Sequence, residues 1–183
     1  AMAWQVSLLM ALQSTVFYTL IDWYTSMAGA SGISASESGM HLFVYQALAV
    51  IANLATSFAI KRLKDQRLLG FICSVAILAG VSGLAFAPEL SLVWLLFAGA
   101  GAGMSMVTCL TLFGLRVRDH HQAGCLSAMA QCVGYALGSL GPFLSGWIHG
   151  ITGTWQVSIL LLMLIAAVQI VFAVLAGRDQ VID

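Results

Sequence analysis

Six long apolar runs with almost nothing between them constrain this chain more than any other feature. They lie at roughly 3–28, 35–60, 68–87, 90–115, 124–149 and 155–177, each near or above the about 20 mainly apolar residues that carry a helix across a bilayer. Breaks this short join antiparallel neighbours. Soluble domains carry about 25% charged residues, whereas this chain carries 8%, with 61% hydrophobic residues and a mean hydropathy of +0.98. A water-soluble globular fold is thereby excluded. The expected class is an all-α membrane protein, with one six-helix transmembrane domain over residues 1–183.

The basic residues orient the bundle. Lys61, Arg62, Lys64 and Arg67 follow the second run, Arg116 and Arg118 follow the fourth, and Arg178 follows the sixth. The other three connections have no Lys or Arg, so the charged side is cytoplasmic and both termini face it. This is the pattern of a multi-pass protein of the cytoplasmic (inner) membrane. Ser34 and Glu37 form a capping-box pattern before the second helix, and Pro88 stops the third. The fifth run is glycine-rich, with Gly124, Gly134, Gly138, Gly141 and Gly146 beside Pro142. Glycine lets helix backbones approach closely in a membrane, and the proline predicts a kink. The first run starts almost at Ala1 with no polar lead-in, and the third and sixth are the least polar. Both features are expected of one half of a twelve-helix protein built from three-helix repeats whose third members face lipid.

Several stretches resemble a known family. LRVRD followed by LSAMAQCVGYALGSLGPFLSGWIHGITGTW resembles the C-terminal half of the cyanate and 2-nitroimidazole transporter branch of the major facilitator superfamily. AWQVSLLMALQSTVFYTLIDWYTSM, GISASESGMHLFVYQALAV and KRLKDQRLLG are similar to that branch as well. The AQ-x-x-GY and GP-x-x-x-G spacings of the fifth helix are the most specific parts. The superfamily's GxxxDRxGRR loop is represented only by the Lys61–Arg67 cluster, with Asp65 as its acidic member. The resemblance implies transport of a small solute by alternating access, with this chain as helices seven to twelve. Its partners would be the lipid bilayer, the N-terminal six-helix half and a small-molecule substrate.

Such proteins bind substrate near the bilayer midplane. Gln13 and Gln46 each lie about 15 Å into their helices, with Phe17 one turn beyond Gln13 and Tyr18 beside it. Tyr135 reaches similar depth, Gln131 lies a turn closer to the cytoplasm, and Ser105 follows the bare Gly99–Gly103 backbone. Amides, aromatic rings and a hydroxyl bind a neutral or weakly charged planar solute by hydrogen bonds and stacking. Each amide reads equally as glue between helices. Asp22, about 28 Å along the first helix, is either a solvated helix end or an outer gate or proton-linked group. Trp23 and Tyr24 beside it read as interfacial belt residues, and Asn53 as an interhelix hydrogen bond.

Arg116, Arg118 and Asp119 read as topology-setting loop charges. His120 and His121 read as part of a solvated loop, since two imidazoles without further ligands do not make a metal site. The four cysteines have neither metal nor disulfide spacing, so no metal or cofactor is expected. Absence of a basic tract argues against nucleic acid. An intramembrane protease would need Gly-x-Ser-Gly, but Gly103-Met104-Ser105-Met106 lacks the last glycine, and His41 and His149 lie too shallow to meet Ser105. No enzyme is expected. The remaining alternative is a self-associating six-helix membrane protein or scaffold without transport of its own, including a homodimer of the isolated half.

Overall fold

The computed structural model describes residues 2–63 and 65–181, so Lys64 of the loop cluster lies outside the described residues. Its elements are α1 (Met2–Ala30), α2 (Ala35–Ala59), α3 (Arg67–Phe86), α4 (Ser91–Leu115), α5 (His120–Gly138), α6 (Leu140–Thr152) and α7 (Gln156–Ala176), with one-turn 3-10 helices at Ile60–Arg62 and Pro88–Leu90. Among the described residues six segments are long and apolar enough to cross a membrane, α5 and α6 together making the fifth. The protein is an all-helical, multi-pass six-span bundle.

The break between α5 and α6 has a definite cause. Pro142 has no N–H to give the Gly138 carbonyl one turn earlier, and the helix is interrupted at Ser139. The span is also longer than its apolar core. His120 and His121 belong to the first turn of α5, not to a loop, because Asp119 caps that helix by accepting the Gln122 N–H at 2.8 Å. Ser34 caps α2 in the same way through the Glu37 N–H at 3.2 Å. Gly153, at φ 71°, closes α6 in the left-handed conformation that favours glycine.

Packing follows the twofold logic of repeated three-helix units. α2 lies on α4 as α5 and α6 lie on α1; α3 lies on α4 as α7 lies on α1; α3 and α7 meet each other. Small residues make the first pairing close. A Cβ on Gly134, Gly138 or Gly141 would press on Met10, Ser14 or Thr15 of α1, whereas Gly124 faces open space and packs nothing. The outer ends are tied by aromatic groups. Trp23 Nε1 donates to the Pro142 carbonyl at 2.8 Å, and His149 stacks on Trp155 at 3.8 Å. Tyr24 is buried, with its hydroxyl 2.7 Å from His41 Nδ1. Trp23 and Tyr24 are therefore struts within the bundle rather than a lipid-facing belt.

The core has two apolar clusters. One, near the outer end, contains Leu20, Tyr45, Ile77, Leu95 and Leu162; the other, near the cytoplasmic end, contains Met10, Cys109, Leu112 and Ala173. Gln169 of α7 is fully buried and donates through Nε2 to Ser74 Oγ and Ser105 Oγ, both at 3.3 Å. Its Oε1 has no partner among the described residues. An unpartnered buried amide oxygen offsets what the two bonds contribute. Gln169→Met is accordingly expected to change stability by less than about 1 kcal/mol, measured as the melting midpoint of the purified protein in detergent.

Candidate functional site

Four helices supply one concave wall. From α1 come Gln13, Ser14, Phe17 and Tyr18; from α2, Gln46, Ala49, Val50, Asn53 and Leu54; from α4, Ala102, Gly103 and Met106; from α5, Tyr135. They enclose a cavity of ≈ 330 Å³. Among the described residues no Asp, Glu, Lys or Arg lines it. The spacing on each helix explains the convergence. Gln13 and Phe17 are one turn apart, and Gln46, Val50 and Asn53 recur at four and three residues, so each set forms a single stripe. Gln13 is buried, and its Nε2 donates to Ser14 Oγ at 3.0 Å, with Met10 Sδ at 3.5 Å and Met106 Sδ at 3.6 Å. Gln46 and Tyr135 are exposed on the wall. Phe17 packs edge-on to Tyr18 at 5.5 Å and tilted to Tyr45 at 5.8 Å, which holds its ring in place.

Five of the residues expected to form the pathway (Gln13, Phe17, Tyr18, Gln46 and Tyr135) thus share one cavity. Two others do not reach it. Ser105 is 1% exposed and turned to the opposite side of α4, where Gln169 binds it. Its depth is right, but two residues beyond Gly103 it has rotated about 200° around the helix. Gln131 lies a turn below Tyr135, and its Nε2 donates to Ser127 Oγ at 2.7 Å. Asn53 lines the cavity and makes no interhelix side-chain bond among the described residues. Its seven-residue distance from Gln46 was the available signal. Met106, one turn from Gly103, was also missed.

Asp22 lies outside this cavity and lines a second one of ≈ 410 Å³ with Tyr18, Tyr135, Ser139 and Pro142. Tyr18 and Tyr135 belong to both cavities, and their ring centroids are 6.3 Å apart, edge to face.

The cytoplasmic charges separate into four situations. Lys61 and Arg62 are exposed on the turn after α2. Asp65 accepts the Arg67 N–H at 2.8 Å and pairs with its guanidinium at 3.3 Å, an exposed local contact of small energetic weight. Arg118 interacts with Gln122 through its own N–H, at 3.3 Å from Oε1. Arg116, read from sequence as a loop charge, is 1% exposed. Its Nε donates to the Ala176 carbonyl at 3.0 Å, and its Nη2 to Gln66 Oε1 at 2.6 Å and the Gly177 carbonyl at 3.0 Å. It joins the ends of α3, α4 and α7. Burial lowers its pKa, while Asp179 and Asp65 act in the opposite direction; a guanidinium stays charged throughout the physiological range. Among the described residues no group of three or more His, Cys, Asp or Glu is placed to hold a metal.

No protein-family profile matches the chain. It is similar to the 2-nitroimidazole transporter of Escherichia coli, at 34% identity over 98% of this chain and 46% of the relative. It is equally similar to the transporter YycB of Bacillus subtilis, at 34% over 99% and 46%. The cyanate transport protein CynX of Escherichia coli is 29% identical over 84% of this chain and 40% of the relative. The chain spans about half the length of the curated relatives it matches. With its six spans, repeat packing and near-complete alignment, the chain belongs to the cyanate and 2-nitroimidazole transporter branch of the major facilitator superfamily.

Proposed function

We propose that this chain is the C-terminal half of an inner-membrane transporter that moves a small, planar, neutral or weakly charged solute by alternating access. The observation that carries the proposal is the uncharged wall formed by Gln13, Gln46, Asn53, Phe17, Tyr18 and Tyr135 around one cavity. Amides offer paired donors and acceptors, and the rings offer faces for stacking. A nitroimidazole-like solute, as the name of one relative has it, is a planar neutral ring and fits that chemistry best. Cyanate, named for another relative, is a small anion and is the less favoured of the two. The N-terminal six-helix half supplies the opposite wall. It covers the faces of α2 and α5–α6 that expose Phe43, Leu54, Leu137, Phe143 and Trp147.

The test is uptake by this chain together with its N-terminal half, in vesicles, with labelled 2-nitroimidazole and cyanate. Gln46→Ala and Asn53→Ala each remove a hydrogen-bonding partner, and each is expected to lower uptake about tenfold. Gln131→Ala, whose side chain stays with Ser127, is expected to leave it within about twofold, since no wall contact is lost. Unchanged uptake in both Gln46→Ala and Asn53→Ala would sink the site. Robust uptake by the isolated chain would replace the two-half reading with a self-associating carrier.

A further inference from the structure

The second cavity sits beyond the first along the solute's path. Residue numbers rise toward the outer side on both α1 and α5. Tyr18 and Tyr135 therefore mark the outer limit of the central cavity, and Asp22 and Ser139, each four residues further on, lie about one turn (roughly 6 Å) outside it. Asp22 is exposed in that vestibule. It has no ion pair among the described residues, and the other four lining residues carry no charge. Every Lys and Arg of the chain belongs to the opposite, cytoplasmic side. A solute entering from outside meets one carboxylate before it meets the amides.

We infer that the Asp22 vestibule is a charge filter in front of the Tyr18–Tyr135 pair, which admits neutral or protonated nitrogen heterocycles and turns back anions. This deepens the transport reading and rests on it. The field of one carboxylate without an ion pair among the described residues, beside the path, repels an anion and attracts a cation by similar amounts. A neutral ring feels neither, and the two phenol rings offer it edges and faces to slide along. Selection by charge then happens at the mouth, and selection by hydrogen bonding happens in the central cavity. The vestibule thereby distinguishes this chain's solute from small anions that the amide wall alone would accept.

Benzamide, benzoate and benzamidine share one planar shape and differ in charge. They can be compared as outside inhibitors of labelled 2-nitroimidazole uptake by the transporter assembled from both halves. Benzoate is expected to be the weakest in the wild type. In Asp22→Asn the potency of benzoate relative to benzamide should rise about tenfold, and that of benzamidine should fall by a similar factor. Asp22→Glu keeps the charge and should keep the wild-type order. The inference is overturned if the benzoate-to-benzamide ratio is the same in wild type and Asp22→Asn. It is equally overturned if all three inhibitors weaken in parallel, as the loss of an ion pair to the other half would produce. Absence of 2-nitroimidazole uptake in the wild type would instead remove the transport reading on which the filter rests.

Discussion

Arg116→Ala is expected to lower the melting midpoint of the protein by about 6–10 °C, from a loss of roughly 3 kcal/mol. The side chain is buried and makes three strong contacts, to the Ala176 and Gly177 carbonyls and to Gln66 Oε1. The carbonyls end α7, where no further helical turn can satisfy them. Gln66 precedes α3, and its own N–H donates to the Gly177 carbonyl at 3.2 Å. Truncation strands the Ala176 carbonyl and Gln66 Oε1 and leaves the Gly177 carbonyl with the Gln66 N–H alone, in a site that is shut off from solvent. Arg116→Lys retains the charge but not the planar fork, so one ammonium must choose among acceptors that lie on different sides of it. It should recover less than half of the loss. The buried thiols Cys73 and Cys109 report the melt, once the exposed Cys125 and Cys132 are replaced by serine. Labelling of the two buried thiols as a function of temperature gives the midpoint. A midpoint within about 2 °C of wild type for Arg116→Ala would show that the clamp contributes nothing, since the loss of three charge-assisted bonds must exceed about 1 kcal/mol.

The contrast between Arg116 and Gln169 shows why counting polar groups does not predict their worth. Both are buried at a junction of α3, α4 and α7. The arginine is multiply bonded, and removing it leaves the Ala176 carbonyl and Gln66 Oε1 without a donor. The glutamine has one end satisfied and one end orphaned, and its replacement removes a penalty together with two bonds. Neither role was legible in the sequence. Arg116 sits in a run of charges that marks topology equally well, and Gln169 sits in the most apolar span, where hydropathy reads a lipid-facing helix.

What could be read was whatever depends on distance along a helix. Length and composition placed the spans, and depth placed Gln13, Gln46 and Tyr135 at one level. Orientation about the helix axis is a separate coordinate. At about 100° per residue, Ser105 shares the level but not the direction, while Met106 and Gly103 flank it and face the cavity. Azimuth becomes legible only where a stripe repeats, as Gln46, Val50 and Asn53 do. The glycines are a third case. Their density foretold close packing, yet Gly124 and Gly114 face open space, and only the neighbouring helix decides which glycine is needed.

Gly103→Leu puts that distinction to its sharpest test, and it is expected to abolish transport. Gly103 faces α2, and a Cβ built on it would run into the carbonyl oxygen of Ala49. A backbone oxygen inside a helix cannot rotate away, so the two helices must separate. α2 is weakly anchored elsewhere: less than a quarter of its span is buried, and its main contact is with α4. It would tilt outward, taking Gln46 and Asn53 away from Gln13 and Met106 on the far side of the cavity. Overpacking of this kind costs about 3 kcal/mol or more, so the midpoint should fall together with uptake. Gly103→Ala adds only the colliding carbon and should give a smaller loss of the same kind. Gly114→Leu adds the same side chain on the same helix toward open space and should leave both readouts near wild type. If Gly103→Leu transported normally, α2 and α4 would not be held at the separation seen here. The wall shared by α1, α2, α4 and α5 would then not be the solute site.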